Sequence, residues 1–217
     1  MVGAGSDPQL AQWTRTFEAR PDFLGAEPSE PGRAALQRFL AAGARDILEL
    51  GPGQGRDTLL FVAAGLRVTA LDFAAPGLEQ IRAKADAGAA AGSVEAVVAD
   101  VRERLPFPDA AFDAAYAHML FCMALTTPEI ERLAAEVGRV LRPGGLLVYT
   151  VRNTSDAHYR AGIEHGDERF EMGGFVVHFF DLALVERLAE GWELLEVSEH
   201  EEGRLPRRLF VVTMRRA

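Results

Sequence analysis

The fold is decided by residues 46–57, which read Asp46-Ile47-Leu48-Glu49-Leu50-Gly51-Pro52-Gly53-Gln54-Gly55-Arg56-Asp57. In this stretch an apolar run ends in three glycines at alternate positions, and a second apolar run, residues 59–62, follows. This order predicts a buried strand that turns tightly into a helix beginning near Asp57 or Thr58, either of which can cap it. Glycine suits such a turn because it adopts backbone angles that a Cβ forbids and lets a ligand lie against bare main chain.

The spacing of these glycines differs from the dinucleotide fingerprint G-x-G-x-x-G, because the third glycine comes one residue early and Arg56 takes the sixth place. The next apolar run, residues 67–71, ends in Asp72, which lies 21 residues after Gly51. A carboxylate about 20 residues after the first glycine is typical of a group that binds ribose hydroxyls. The two features together predict a ligand that contains adenosine.

Further segments extend this pattern across residues 46–150. They are Ala99-Asp100-Val101, Phe112-Asp113 before a fourth predicted strand, and Leu141-Arg142-Pro143-Gly144-Gly145 before a fifth. In this order, and together with the glycine turn and Asp72, they resemble the class I S-adenosylmethionine (SAM) methyltransferases. The shorter string Gly53-Gln54-Gly55-Arg56-Asp57 resembles the small-molecule branch that includes the tellurite-resistance methyltransferases.

Alternating strand and helix patterns predict an α/β fold with a parallel sheet and helices on both faces. The resemblance implies a Rossmann-like, doubly wound, seven-stranded sheet, mostly parallel, with an antiparallel strand from a C-terminal hairpin. The predicted strands are 47–50, 67–71, 94–99, 112–117, 146–151, 193–200 and 207–214. The predicted helices are 33–42, 57–64, 76–87, one from Thr127 to before Pro143, and 181–189.

The length of 217 residues predicts a single domain, residues 1–217. Residues 1–32 contain Trp13, Phe17, Phe23 and Leu24, which an exposed tail does not need. Two interpretations stay open for this segment: a short helix packed on the domain, or a lid that the resemblance implies closes over the cofactor with Phe17, Pro21, Phe23 and Ser29. Residues 152–180 show no clear period and are interpreted as an inserted loop region on the substrate side.

The amino-acid composition restricts the classes of partner that we expect for this chain. The formal net charge of −9 and the pI near 5.1 disfavour nucleic acid, because a phosphate backbone is repelled on average. The one cysteine, Cys122, excludes an internal disulfide. Neither a signal peptide nor an apolar run of about 20 residues is recognisable. The sequence therefore predicts a cytoplasmic protein, a monomer or homodimer, that does not bind membranes.

The resemblance implies SAM as cofactor, with S-adenosylhomocysteine as product, and residues that bind it at the carboxyl ends of the strands. These residues are Glu49, Gly51, Gly53, Gly55, Asp72, Phe73, Asp100, Val101 and Ala117. In this assignment Glu49 orients the amino group, Asp72 holds the ribose, and Asp100 meets the adenine edge. The alternative for Asp100 is a structural one, in which it caps its loop with the Arg102 side chain nearby.

Methyl transfer from a sulfonium is an in-line displacement, which needs a base only if the bound nucleophile carries a proton. The catalytic candidates are His118 and His178, each of which has a core histidine with a satisfied hydrogen bond as its alternative. The substrate-binding candidates follow the fourth and fifth strands: Tyr116, Phe121, Arg152, Asn153 and Tyr159. No metal is expected, since His158, His165 and His178 lack a recognisable ligand spacing.

The leading hypothesis is a SAM-dependent methyltransferase that acts on a small molecule. A protein or RNA methyltransferase is the first alternative, and it requires a basic groove near Arg204, Arg207 and Arg208. The second alternative is a SAM-binding module without chemistry, whose acceptor pocket is blocked by side chains such as Phe121. The sequence leaves these three open.

Overall fold

The computed structural model describes residues 7–88, 93–203 and 207–217. The helices are α1 (Pro8–Ala19), α2 (Glu30–Ala41), α3 (Arg56–Ala63), α4 (Ala75–Asp86), α5 (Thr127–Val140) and α6 (Leu182–Leu188). The strands are β1 (Asp46–Leu50), β2 (Arg67–Asp72), β3 (Val94–Val98), β4 (Phe112–His118), β5 (Leu141–Arg152), β6 (Ile163–Glu164), β7 (Arg169–Met172), β8 (Phe175–His178), β9 (Trp192–Glu202) and β10 (Arg207–Arg216).

Seven strands form one sheet in the order β3-β2-β1-β4-β5-β10-β9. Strands β1 to β5 run parallel, β10 is antiparallel to β5, and β9 is antiparallel to β10. This arrangement confirms the predicted Rossmann-like sheet with its antiparallel C-terminal hairpin. The strand order reverses between β1 and β4, so a crevice opens there at the carboxyl ends of the strands.

The sheet is covered on both faces, because successive side chains of each strand point to opposite sides. On β1, Ile47 packs with α2 and α3, whereas Leu48 packs on the side of α5 and α6. On β4, Tyr116 and Ala117 divide between the two faces in the same way. The near-continuous apolar runs in the sequence are therefore strands whose two faces are both buried.

The prediction of an inserted loop for residues 152–180 is wrong in one respect. The insert contains β6, β7 and β8, which form a second, antiparallel sheet. Strands β7 and β8 are joined by Gly173 and Gly174, both with positive φ. Because these strands are two to four residues long, a period-two alternation has too few residues to show in the sequence.

Element ends differ from the predictions where capping or pairing extends them. Helix α2 begins at Glu30 rather than Arg33, because the Ser29 side chain accepts a hydrogen bond from the Gly32 N–H (2.9 Å). Strand β5 begins at Leu141, five residues before the predicted start. Residues 204–206, in the middle of the predicted hairpin turn, and residues 1–6 of the predicted lid lie outside the described ranges.

The helix that follows the glycine turn is fixed to the sheet by Phe61. Its ring is fully buried and packs edge-on against Phe39 of α2 (5.8 Å between centroids) and Tyr116 of β4 (5.2 Å). We expect Phe61→Ala to lower the free energy of unfolding by about 3–5 kcal/mol, through lost burial and the cavity that remains. Urea unfolding measures this loss.

The matched control for Phe61→Ala is Leu40→Ala, since Leu40 on α2 is 45% exposed. We expect that control to change stability by about 0.5 kcal/mol or less. An equal, small loss in both variants would contradict the packing described for α3.

Candidate active site

The turn between β1 and α3 comes close to two other parts of the chain. Gly51 and Gly53 both have positive φ, at 65° and 56°. A Cβ on Gly53 would clash with the Leu24 side chain, and one on Gly51 would lie 2.9 Å from Leu120 Cδ1. Only glycine therefore combines this backbone conformation with this approach. The N-terminal segment and the segment after β4 thus meet at the glycine turn.

A cleft opens at the carboxyl ends of β1 to β4 and encloses about 1090 Å³, including its open mouth. Seven of the predicted cofactor residues line it: Glu49, Gly51, Gly53, Asp72, Phe73, Asp100 and Val101. Two do not. Gly55 lies against Ile81 of α4, and Ala117 is buried in the core between the sheet and α5. We call this cavity the cofactor cleft.

Glu49 is the penultimate residue of β1. Its side chain lines the cofactor cleft and is 3% exposed. Its Oε2 atom has no hydrogen-bond partner among the described residues. Burial, followed by the nearby negative charge of Asp57, raises the pKa of Glu49 to about 8. A buried carboxyl oxygen without a partner, at the wall of a cleft, is a group prepared to meet a cation or a hydrogen-bond donor of a ligand.

Asp72 ends β2 on the other side of the glycine turn. Its Oδ2 accepts a hydrogen bond from the Gly53 N–H (3.3 Å), and its Oδ1 accepts one from the Ala74 N–H (2.9 Å). Burial raises the pKa of Asp72 to about 6, although these backbone donors act in the opposite direction. The carboxylate is therefore ionised at neutral pH and fixed in place by the turn that it faces.

Asp100 lies two residues after the end of β3 and is bonded to Arg102, as its structural alternative predicts. The Arg102 Nε donates to Asp100 Oδ1 (2.9 Å), and the same guanidinium also pairs with Asp7, the residue that caps α1. Burial opposes ionisation of Asp7 and Asp100, but the hydrogen bonds and charge of Arg102, together with backbone N–H donors, outweigh burial and hold both pKa values below their ordinary range. The ion pair connects α1 to the edge of the cleft.

Helix α1 and the turn after it cover the cofactor cleft. Trp13, Phe17 and Leu24 line it, and Trp13 packs on Phe175 of β8 (4.7 Å between centroids). The Gln54 side chain, in the glycine turn, fixes this cover by accepting from the Leu24 N–H (3.1 Å) and donating to the Arg20 carbonyl (2.8 Å). The N-terminal segment is thus part of the cleft wall.

His118, at the end of β4, is held by charged neighbours. Its Nε2 lies 3.1 Å from Glu202 Oε2 and 2.9 Å from Arg56 Nη2, and its Nδ1 lies 3.1 Å from the Thr150 hydroxyl. Burial works against ionisation of Glu202, but His118 and Arg56 lower the pKa of that carboxyl to about 2. His118 and Arg56 both line the cofactor cleft. Sequence reasoning missed Arg56 and Glu202 as partners of this histidine.

Known proteins resemble this chain in sequence. A protein-family model described as a methyltransferase domain matches residues 47–145. A phosphatidylethanolamine N-methyltransferase from Cereibacter sphaeroides is 34% identical over 151 residues, which are 69% of this chain and 71% of that protein. The chain belongs to the class I SAM-dependent methyltransferases. It is an enzyme of that family, and SAM is its cofactor.

Other relatives agree with this methyltransferase assignment. A demethylmenaquinone methyltransferase from Thermus thermophilus is 37% identical over 118 residues, and the chain spans about half of that protein, 51%. A crystal structure of 1,6-didemethyltoxoflavin-N1-methyltransferase from Burkholderia thailandensis, with bound 1,6-didemethyltoxoflavin and S-adenosylhomocysteine, superposes with a TM-score of 0.76. At 19% identity, covering 100% of this chain and 93% of that one, this likeness shows the fold alone.

The structure places His178, a catalytic candidate, outside the lining of the methyltransferase cleft. Its ring is buried, and its Nδ1 lies 2.8 Å from the Leu125 carbonyl, which requires that nitrogen to be the donor. Burial lowers the pKa of His178, so the ring is neutral at pH 7. His178 is therefore the core histidine with a satisfied hydrogen bond, and it supports the segment after β4 from behind.

The five substrate-binding candidates also lie outside the lining. Tyr116 and Phe121 are fully buried: the Tyr116 hydroxyl lies 3.1 Å from Ser29 Oγ, and Phe121 stacks on a core tyrosine. Asn153 accepts from the Ser155 N–H (3.0 Å) in a turn, and the Tyr159 hydroxyl donates to Glu168 (2.7 Å). These side chains shape the insert and the core.

Arg152 does not act as the predicted clamp for an anion. Its guanidinium is buried, pairs with both oxygens of Asp156, and lies 3.0 Å from His158 Nδ1. Because its donors are directed at these partners inside the protein, it stabilises the start of the insert. The sequence placed Arg152 directly after the fifth strand, whereas it is the last residue of β5, and carried no sign that Asp156, four residues later, would pair with it.

The cleft wall opposite the cofactor residues comes from the segment after β4. Met119, Leu120 and Met123 line it with Ala124, and Met119 and Ala124 have positive φ, 57° and 58°. These backbone angles are uncommon for residues other than glycine and cluster at functional sites. The stretch from Tyr116 to Met123 is aromatic and apolar in sequence, but which of its side chains line the cleft depends on this backbone conformation.

An RNA or protein methyltransferase requires a basic groove, which the sequence placed near Arg204, Arg207 and Arg208. The Arg208 guanidinium donates to Glu201 Oε1 (3.1 Å) and to the Ser155 carbonyl (3.3 Å). Arg204 lies outside the described residues. Over the ranges that the structure describes, no group of three or more His, Cys, Asp or Glu side chains is arranged to hold a metal ion, and no helix is long and apolar enough to cross a bilayer.

The raised pKa of Glu49 determines whether this residue makes the folded protein more or less stable as pH rises. The folded pKa of about 8 lies above the ordinary value of 4.5, so the wild-type protein without cofactor loses stability as pH rises through this interval. Gln has no such titration. We therefore expect Glu49→Gln to become increasingly stable relative to the wild type between pH 5 and pH 8, as measured by urea unfolding at each pH.

The control for this series is Glu95→Gln on β3, because Glu95 is exposed and its substitution removes no buried charge. We expect its difference from the wild type to stay flat over the same pH range. A flat difference for Glu49→Gln as well would show that the Glu49 carboxyl is not desolvated in the folded protein.

Proposed function

We propose that this enzyme transfers the methyl group of SAM to a small-molecule acceptor inside the covered cofactor cleft. The observation that carries the proposal is the cover itself. Phe17 and Leu24 lie against Gly53 of the glycine turn, and with Trp13 they line the same cleft as Met119 and Met123. A small molecule fits between these apolar walls, whereas a folded protein or an RNA duplex needs an open, polar or basic groove.

The residues present fit SAM. Asp72 is placed to accept hydrogen bonds from ribose hydroxyls, and the unpartnered Glu49 oxygen is placed to receive the ammonium group. Phe73 and Val101, which line the β2 and β3 side, supply apolar surface for adenine. The sheet order puts the β4 side, with His118 and Met119, at the opposite end of the cleft. In this proposal that end receives the acceptor.

Electrostatics in the cleft favour a cationic cofactor. Five carboxyl groups line it, those of Asp7, Glu49, Asp57, Asp72 and Asp100, against the guanidinium groups of Arg56 and Arg102, and Glu49 is mostly protonated until the cofactor binds. Arg102 is shared between Asp7 and Asp100, and Arg56 pairs with Glu202. The sulfonium and ammonium charges of SAM therefore enter a region of net negative potential, which strengthens binding and draws the cation in.

When bound, SAM supplies an activated methyl group on an excellent leaving group. The chain's own contribution is to exclude water and to align the acceptor with the methyl, because an in-line displacement depends on geometry. The apolar rings of α1 and the methionines after β4 are suited to both tasks. Two relatives, a phosphatidylethanolamine N-methyltransferase and a demethylmenaquinone methyltransferase, support an acceptor with an apolar part. The tellurite-resistance branch stays a prediction.

The proposal is tested by transfer of labelled methyl from SAM into an extract of the source cells, separated into small-molecule, protein and nucleic-acid fractions. A panel with tellurite, thiols and amines is assayed beside it. We expect label in the small-molecule fraction or in the panel. Label in protein or nucleic acid alone would overturn the proposed acceptor class, and SAM binding without any transfer would favour a module without chemistry.

The variant for this assay is Asp72→Asn, with Asp86→Asn, exposed on α4, as matched control. We expect Asp72→Asn to weaken SAM binding about 10- to 100-fold, because a hydrogen bond to a charged group contributes about 1.5–3 kcal/mol. Isothermal titration calorimetry measures the SAM affinity of both variants. Equal affinity in the two variants would contradict the ribose assignment.

A further inference from the structure

The proton-accepting groups of the cofactor cleft are already engaged by other parts of the protein. His118 is the main case. Its Nε2 lies 3.1 Å from Glu202 Oε2, which only accepts, and 2.9 Å from Arg56 Nη2, which only donates, so this nitrogen has a partner whether or not it carries a hydrogen. The Nδ1 faces Thr150 Oγ1 at 3.1 Å, and that hydroxyl oxygen also accepts from the Met119 N–H (2.9 Å). Neither ring nitrogen is left to take a proton from an acceptor molecule.

The carboxylates of the cleft wall are engaged in the same way. Asp57 accepts from both the Ser29 N–H (2.7 Å) and the Ser29 hydroxyl (2.8 Å), one on each oxygen. Asp7 and Asp100 share the Arg102 guanidinium, which makes them weak bases. Among the described residues that line the cleft there is no Lys, Cys or Tyr. Glu49 and Asp72 remain, and the proposed function uses both for the cofactor.

The charge of the cleft restricts the acceptor further. An ionised thiol or carboxylate needs no base, but it would enter among five carboxylates whose arginine neighbours are already paired. Bringing a negative charge into such a site is costly, because the effective dielectric constant there is low. An alcohol, a phenol or a carbon acid avoids this cost but has to lose a proton in order to react.

We propose that the methyl acceptor is a nitrogen nucleophile that is uncharged when it binds, a weakly basic amine or a ring nitrogen, and that it reacts through its own lone pair without help from a protein base. This inference rests on the proposed function and assigns His118 a positioning role. The nitrogen lone pair forms the bond to the methyl carbon while the carbon–sulfur bond breaks and its electron pair stays on sulfur. SAM becomes S-adenosylhomocysteine, the nitrogen takes up the positive charge, and any hydrogen on it leaves to water afterwards.

In this assignment His118, Glu202 and Arg56 form a fixed wall rather than a proton relay. Arg56 donates to Glu202 Oε1 (2.7 Å) and, through Nη1, to the Leu24 carbonyl (3.3 Å). The cluster therefore connects the cover of the cleft, the end of β4 and the C-terminal hairpin. Its net negative surroundings also favour the cation that forms on nitrogen during transfer, relative to the neutral acceptor.

The first test identifies the atom that receives the methyl group. The wild-type chain is incubated with methyl-labelled SAM and the small-molecule extract of the source cells, and the labelled product is analysed by NMR and mass spectrometry. A methyl group on nitrogen is the expected result. A methyl group on oxygen, carbon or sulfur would overturn the inference while leaving the proposed function standing, whereas no label in small molecules would overturn both.

The second test uses His118→Gln with the extract fraction that yields product. A general base contributes about 10²–10⁴-fold to the rate. We expect kcat to stay within about tenfold of the wild type, with any larger effect in KM, since Gln retains a donor toward Glu202. A loss of kcat beyond 100-fold in a variant that still folds and binds SAM would make His118 a base and overturn the inference. If the variant does not fold, the product analysis with the wild type decides.

Discussion

Two carboxyl groups buried at the carboxyl edge of the sheet set the conditions for the whole site. Glu49 and Asp72 lie on adjacent strands, on either side of the glycine turn, where burial raises the pKa of each. Such groups destabilise a folded protein unless they are paired with donors or cations. Asp72 is paired with backbone N–H groups of the turn, and Glu49 keeps one oxygen without a partner. The fold thus holds in place a buried carboxyl group that can ionise when the cofactor's cation lies beside it.

The surrounding structure covers that edge of the sheet. The glycines let Leu24 from the N-terminal segment and Leu120 from the segment after β4 approach the turn closely. Gln54, Arg56 and Asp57, which directly follow, hold the N-terminal segment through the hydrogen bonds to Leu24 and Ser29. The same twelve residues that specify the first strand and helix therefore also specify how the site is covered. Fold and function depend on one turn.

Sequence reasoning recovered what is local and periodic. Apolar runs and glycine spacing predict the strands, the parallel sheet with helices on both faces and the ribose carboxylate Asp72. The seven-stranded arrangement and the role of Glu49 are implied by the family resemblance. It failed where a role depends on which partner a side chain meets in the folded protein. Arg152 is neutralised by Asp156, His178 is bonded to the Leu125 carbonyl, and His118 meets Glu202, 84 residues away. None of these pairings leaves a periodic signal.

In the proposed binding mode Glu49 receives the cationic end of SAM. Calorimetry of SAM binding at pH 7 tests this most directly. In the free enzyme Glu49, with a pKa of about 8, is mostly protonated at that pH. A cation placed beside it lowers this pKa, so SAM binding should release close to one proton, seen as a dependence of the binding enthalpy on the ionisation enthalpy of the buffer. Glu49→Gln should bind more weakly and abolish the release. Binding without proton release in the wild type, or equal release in both proteins, would contradict the account.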